Sequence, residues 1–247
     1  GRTAPASGDP APVALPEPFR LPHGEDDAKR LLAQLGVGSP ARLACTTRAE
    51  ARRSLGLLRS PLAVKMLDPV VAHKSRVGGV RLGVCDDAGL TEALDALDAA
   101  GARRYLVEEM APPGFDLIVG ARRDPVFGSV VCVGLGGDAA EELATVAVRL
   151  APIGERAAAA MLGELPGAGH LRGTRLPRIV ALLGGLLDAV PELGEVEINP
   201  LRALPDGRLV ALDVVVSAVA EVDATDQVAR PDGSGPLLTA GEVRGGS

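Results

Sequence analysis

The sequence predicts an α/β or α+β protein in two lobes with mixed sheets, and three observations predict it. Apolar runs of strand length alternate with segments of helical period along most of the chain. Stretches at 196–204 and 208–216 are joined by Pro205-Asp206-Gly207, a turn signal that makes this last pair antiparallel within an otherwise alternating order. Both ends lack sustained periodicity and are rich in Pro, Ala, Gly or Asp. Residues 1–24 therefore read as a leader or linker and residues 222–247 as a flexible tail. Between them, 25–104 is expected to form an N-terminal lobe and 105–221 a C-terminal lobe.

Each element has its own signal. Residues 25–35 (EDDAKRLLAQL) form an amphipathic helix with acids in its first turn and Gly36 to stop it. A short strand at 42–45 follows, then Thr47 as the N-cap of a helix over 49–57. Residues 61–66 (PLAVKM) read as a buried strand and 80–84 as another, with a helix at 91–100 and a strand at 105–110. Strands are expected at 116–121 and 129–134, the second leading into a helix over 139–150. A mostly apolar helix occupies 177–187, and the hairpin closes the series.

Composition removes several classes of function. A net charge of −6 argues against a general nucleic-acid binder, and four aromatic residues leave little for base stacking. No apolar run has the length a membrane span needs, and no secretory leader is visible. Cys45, Cys85 and Cys132 form no CxxC and suit a reducing cytoplasm; three scattered histidines make a zinc site unexpected. Lys29, Lys65 and Lys74 are the only lysines among 26 basic residues, so each invites the question of what needs a compact ammonium.

Three clusters could carry chemistry. In the first, a buried strand ends with Lys65, and the next loop holds His73, Lys74, Arg76, Gly78 and Gly79. A strand lysine suits nucleotide phosphates, paired glycines let backbone N–H groups approach an anion, and a histidine among cations can stay neutral and act as a nucleophile. The alternative is a solvated loop. An unpaired ammonium on an apolar strand is costly, so phosphate is expected to neutralise Lys65, and Lys65→Met to leave the ligand-free protein as stable or more so. In the second cluster, Gly134-x-Gly136-x-x-Ala139 fits the dinucleotide string, a weak motif on its own for which a plain glycine turn is the safer reading. In the third, Glu195, Glu197 and Asn199 alternate onto one strand face, and a hairpin symmetric about Asp206 sets Asn199 opposite Asp213. Glu197, Asn199 and Asp213 would then offer oxygens to a hard cation such as Mg²⁺; a solvated polar face is the other reading.

LAVKMLDPVVAHKSRVGGVRLGV, EEMAPPGFDLIVGARRDPVFGSVVCVGLGG and EVEINPLRALPDGRLVALD stand here in one order. In that order they resemble the ATP-grasp module of NDP-forming acyl-CoA synthetases, the β-like part of ADP-forming acetate–CoA ligases, similar to the succinyl-CoA synthetase β subunit. The resemblance implies an ATP-grasp fold with nucleotide held between two lobes, ATP or ADP and Mg²⁺ as ligands, and an α-like CoA-binding partner in a hetero-oligomer. By resemblance Lys65 and Arg122 lie at the phosphates, and Glu108, Glu109 and Met110 form the segment that holds adenine and ribose. Asp116 stands where the family has Glu. Asn199 and Asp213 match its Mg²⁺ ligands, and His73 matches a histidine that carries phosphate between the partner subunit and the nucleotide. Two departures stand out. His-Lys-Ser-Asp becomes His-Lys-Ser-Arg at Arg76, and Thr145 replaces an Asp. They motivate a second reading, a nucleotide-binding regulatory module without turnover.

Overall fold

The computed structural model describes residues 13–17, 19–67, 78–136 and 145–219. Two antiparallel sheets organise it. The first has the order β1-β4-β2-β3, from β1 (Arg42–Cys45), β2 (Leu62–Met66), β3 (Val80–Val84) and β4 (Tyr105–Glu109). The second contains β5 (Phe115–Asp124), β6 (Gly128–Leu135), β7 (Val146–Leu150), β8 (Leu193–Ala203), β9 (Leu209–Ala211) and β10 (Val214–Ala218). Its order is β10-β8-β5-β6-β7, with β9 also on β8. The sheets divide the chain after β4 rather than before it.

The first lobe follows from pleat and capping. On β2, Leu62, Val64 and Met66 join Tyr105 and Val107 of β4 in a core closed by Leu90, Leu94 and Leu97 of the helix α2 (Asp87–Ala99).

 The short helix Arg48–Arg53 runs on into a 3-10 turn. Thr47 caps this short helix as expected, its side chain accepting from the Glu50 N–H, and Asp86 caps α2 through the Gly89 N–H. Ala63 and Lys65 of β2, with Leu106 and Glu108 of β4, take the opposite face of the sheet. Register sets Lys65 opposite Leu106 and Glu108 opposite Ala63, so the two charged side chains are diagonal neighbours on that face. All five residues of β2 are buried, because helices cover one face and the second lobe covers the other.

The second lobe holds the larger core. Val119 and Ala121 of β5, Val131 and Val133 of β6, and Val196, Ile198 and Leu201 of β8 pack against α3 (Glu155–Leu162) and α4 (Leu176–Ala189). Ala28, Leu31 and Leu32 of α1 (Glu25–Gln34) join this same core. The first helix among the described residues thus belongs to the second lobe. A parallel bridge of Gly38 to Val210, with the Ala211 N–H donating to the Gly38 carbonyl at 2.8 Å, secures the segment that follows it.

Three expectations change. Every named strand pair among the described residues is antiparallel, so the sheets are not mixed; the parallel contact is the single Gly38–Val210 bridge. The helix expected over 139–150 ends in a strand instead: 146–150 is β7, paired to β6, while 137–144 lies outside the described residues. The segment TVAVRL is rich in β-branched side chains, and the exposed edge of β6 offers them a ladder. Gly134 and Gly136 answer a packing need. A Cβ on Gly136 would stand 2.6 Å from the Leu117 carbonyl carbon, and one on Gly134 2.9 Å from the Thr145 oxygen. The dinucleotide reading loses its support there.

Candidate functional site

The site lies where the two sheets face one another. On β8, Ile198 and Leu201 both point into the core, and between them Asn199 and Pro200 stand against the single residue Ile118 of β5. This is a bulge, the position at which a strand tolerates proline and re-aims its side chains. Across the bulge the outer strand also breaks, β9 ending at Ala211 and β10 beginning at Val214. Two hydrogen bonds span the gap, Asn199 N–H to the Asp213 carbonyl at 3.0 Å and Leu212 N–H to the Pro200 carbonyl at 3.0 Å. The register expected from symmetry about Asp206 is the register observed.

That break frees one carbonyl for another use. The Leu212 oxygen accepts from Lys65 Nζ at 2.6 Å and from Lys29 Nζ at 2.7 Å. Both ammonium groups also share two carboxylates. Glu25 Oε1 is 2.8 Å from Lys65 Nζ and 2.6 Å from Lys29 Nζ; Glu108 meets Lys65 through Oε2 at 2.7 Å and Lys29 through Oε1 at 2.6 Å. All four residues are buried, Lys29 completely and Lys65 least, at 6% exposure. Burial alone would depress the Lys65 pKa, but Glu25, Glu108 and Asp213 outweigh it and hold the ammonium above its ordinary value. The expectation of an unpaired Lys65 is therefore corrected: the lysine is paired twice before any ligand arrives.

The facing surface of the second sheet carries the other polar residues. One row across the strands is Cys132, Gly120 and Glu197; the next is Val130, Arg122 and Glu195. The row is closely packed at Gly120, where a Cβ would meet Cys132 Sγ at 3.5 Å and Glu197 Cγ at 3.6 Å, both ordinary contacts. Asn199 Nδ2 donates to Glu197 Oε1 at 3.4 Å. Burial first, then repulsion by Glu195, pushes the Glu197 carboxyl up to about 7, with Asp213 adding to it. Burial also pushes the Cys132 thiol up to about 12, so it is no nucleophile near neutral pH.

The remaining expected residues lie around the connection between the lobes. Met110 lines a cleft of about 580 Å³ with Pro61, Ala111, Pro112, Pro113, Gly114 and Arg202. Glu109 is paired with Arg59, 3.0 Å from its Nη2, which holds the Glu109 carboxyl below the usual range. Asp116 is held by Arg202 through two contacts of 2.6 and 2.7 Å, a bidentate pair between β5 and β8. Gly78 has φ +69° and its carbonyl accepts from Arg81; the Gly79 carbonyl accepts from the Met66 N–H. His73 and Arg76 lie outside the described residues.

A sequence profile described as the ATP-grasp domain matches residues 20–218, which takes in both sheets and α1. The chain belongs to the ATP-grasp family. Its relatives are informative about extent. The β subunit of ADP-forming acetate–CoA ligase I from Pyrococcus furiosus is 32% identical over 203 residues, covering 75% of this chain and 87% of that subunit. The ADP-forming 4-hydroxybutyrate–CoA ligase of Nitrosopumilus maritimus is 27% identical over 202 residues, covering 74% of this chain and 29% of that longer protein. The chain thus spans most of a separate β subunit and under a third of a single-chain ligase. Among solved structures, acetyl-coenzyme A synthetase 1 of Ca. Korarchaeum cryptofilum, in complex with coenzyme A and Ca-AMPCP, matches with a TM-score of 0.70 and 27% identity. That match covers 79% of this chain and 92% of the other. PH1788 from Pyrococcus horikoshii gives a TM-score of 0.71 at 25% identity, over 79% and 90%.

Within this ATP-grasp chain, sequence reasoning missed Glu25 and Lys29. Acids in a first turn read as helix-dipole partners, and a lysine in an amphipathic helix reads as a solvated face. The available signals were the i,i+4 spacing of Glu25 and Lys29 and the rarity of lysine.

The Glu197 carboxyl sets a pH dependence of stability. Because its native pKa is raised, the folded protein keeps this proton after the unfolded chain has lost it. Stability is therefore full below the ordinary value of 4.5 and falls as pH rises toward about 7. Denaturant melts of the ligand-free protein should show a loss of roughly 2–3 kcal/mol across that window. Glu197→Gln should flatten it; a wild-type slope in that variant would move the raised pKa to another group.

Proposed function

We propose that this chain binds Mg·ATP or Mg·ADP and transfers phosphoryl groups as the β-like part of an ADP-forming acid–CoA ligase. The overall reaction is carboxylate + CoA + ATP ⇌ acyl-CoA + ADP + phosphate. The observation that carries the reading is the pairing of two opposed surfaces. Lys65 projects from the first sheet, and Glu197, Asn199 and Asp213 stand on the second, joined to it through Leu212. Relatives support it: one solved structure of the Korarchaeum synthetase, 28% identical, is described as holding coenzyme A and Mg-AMPPCP.

In this reading the chain's own groups position and neutralise. Lys65 leaves part of its carboxylate network to meet phosphate oxygens, and Arg122 adds a second cation. Met110 and the walls of its cleft hold the base and ribose. Glu197, Asn199 and Asp213 would hold Mg²⁺, and the donor set fits: hard oxygens, with carboxylates crowded enough to raise a pKa. Among the described residues no group of three or more His, Cys, Asp or Glu forms a metal cage. Mg²⁺ is ordinarily bound by one or two carboxylates together with substrate phosphates rather than by an all-protein cage. When bound, Mg²⁺ supplies charge neutralisation on the phosphate oxygens. His73 then accepts the γ-phosphoryl group on a ring nitrogen, the N–P bond forming as the bond to the ADP oxygen breaks. An α-like subunit or domain supplies the CoA and acid sites, because this chain spans only the β-like part of its relatives.

No helix among the described residues is long and apolar enough to cross a membrane. A cytoplasmic location is part of the proposal, on the strength of three unpaired cysteines.

Asp213→Ala tests the metal assignment. The fold should survive, because the side chain lies at a strand break, while the gain in ATP affinity on adding Mg²⁺ should fall by about tenfold or more. Calorimetric titration with and without Mg²⁺ measures it. Unchanged Mg·ATP affinity would return this face to a solvated strand.

A further inference from the structure

Lys29 touches the same three acceptors as Lys65, yet it cannot serve a ligand directly. It is fully buried, on a helix that belongs to the second lobe's core, whereas Lys65 is the most exposed of the four charged residues, at 6%. The cluster holds two ammonium groups and two carboxylates, so its formal charge is zero. Suppose Lys29 were absent. Lys65 would then be the sole cation for two buried carboxylates, and drawing it toward another anion would strand both charges at high cost. With Lys29 present, one ammonium stays on Glu25 and Glu108 when Lys65 turns away, so one negative charge rather than two is left uncompensated, and Lys29 keeps its hold on the Leu212 carbonyl beside Asp213.

We infer that Lys29 is a positioning residue: a buried counter-cation that releases Lys65 to phosphate by holding Glu25 and Glu108 in its place. The inference rests on the reading of Lys65 as the phosphate lysine. It makes nucleotide affinity a function of the cluster's net charge, with opposite signs for the two substitutions.

The test is a charge-balance cycle on the full chain, read by calorimetric binding of Mg·AMPPCP, with thermal melts to confirm folding. Lys29→Met leaves one ammonium against two carboxylates and should weaken binding by about tenfold or more. Glu25→Gln leaves two ammonium groups against one carboxylate and should tighten binding severalfold. The double variant Lys29→Met/Glu25→Gln restores neutrality and should return toward the wild-type affinity. A merely structural role predicts otherwise, since both single substitutions disturb the same buried network and would then both weaken binding. Weakening by Glu25→Gln overturns the inference. If Lys29→Met does not fold, Glu25→Gln and the double variant still decide, because tightening in one and recovery in the other have no packing explanation. Lys65→Met is the separate control. Wild-type Mg·AMPPCP affinity in that variant would remove the phosphate reading itself, and with it the basis of this inference.

Discussion

Replacing Lys65 with methionine is expected to destabilise the ligand-free protein by about 3–5 kcal/mol, the usual result of removing one partner from a buried ion pair. In a chain of this size that is a fall in Tm of roughly 10 °C. The same variant should lose the rise in Tm that ATP and Mg²⁺ produce in the wild type. The two effects separate in a second variant. Lys65→Met/Glu108→Gln removes an ammonium and a carboxylate together, so it should recover much of the stability and none of the response to nucleotide. A wild-type response to ATP in either variant would show that phosphate is bound elsewhere. The sequence alone pointed the other way, to a neutral or stabilising effect. An apolar strand with one lysine reads as an unpaired charge, and the partners come from residues 40 positions upstream and 43 positions downstream.

His73→Ala should abolish acyl-CoA synthesis by the assembled enzyme, a loss of about three orders of magnitude or more, while Mg·ATP binding stays within about twofold of wild type. On the proposed relay Cys132 cannot take the place of His73, since it is buried and protonated. The measurement pairs synthesis, with the α-like part added, against calorimetric binding to the β-like chain alone. Wild-type synthesis by His73→Ala would remove the relay. A wild-type His73 chain that binds nucleotide yet never supports synthesis with its α-like part would favour the regulatory reading that Arg76 and Thr145 suggest.

Much of the fold was legible because the signals were local. Thr47 caps its helix, the alternation in PLAVKM sets core against cleft, and Pro205-Asp206-Gly207 places Asn199 against Asp213. The bulge at Asn199 and Pro200 leaves that register intact on the β9/β10 side, which is why simple symmetry sufficed. What failed depended on distant partners. Val146 to Leu150 continue a helical pattern in isolation and become a strand only because β6 has an open edge. Helix α3 went unassigned although ERAAAAML has high helix propensity, as its short run lies among glycines and prolines that read as loop. Glu25 read only as an acid in a first turn and Lys29 only as one of three lysines, since nothing local reveals that two sheets close over them.

The position of α1 has a consequence for how the lobes can move. The described chain runs from the larger lobe at α1, leaves it to build β1 through β4, and returns, so the smaller lobe is an insertion carried on two tethers. One is the segment after Gly38, which is stitched to the larger lobe at Val210 and Ala211; the other is 110–114. The tethers touch where they enter the smaller lobe, the Glu109 N–H donating to the Ala41 carbonyl at 2.9 Å. Two strands of chain crossing at one point make a door on a single pin. Any turn of the smaller lobe about that pin would have to break the contacts among Glu25, Lys29, Lys65, Glu108 and Leu212, the latch at which the door meets its frame.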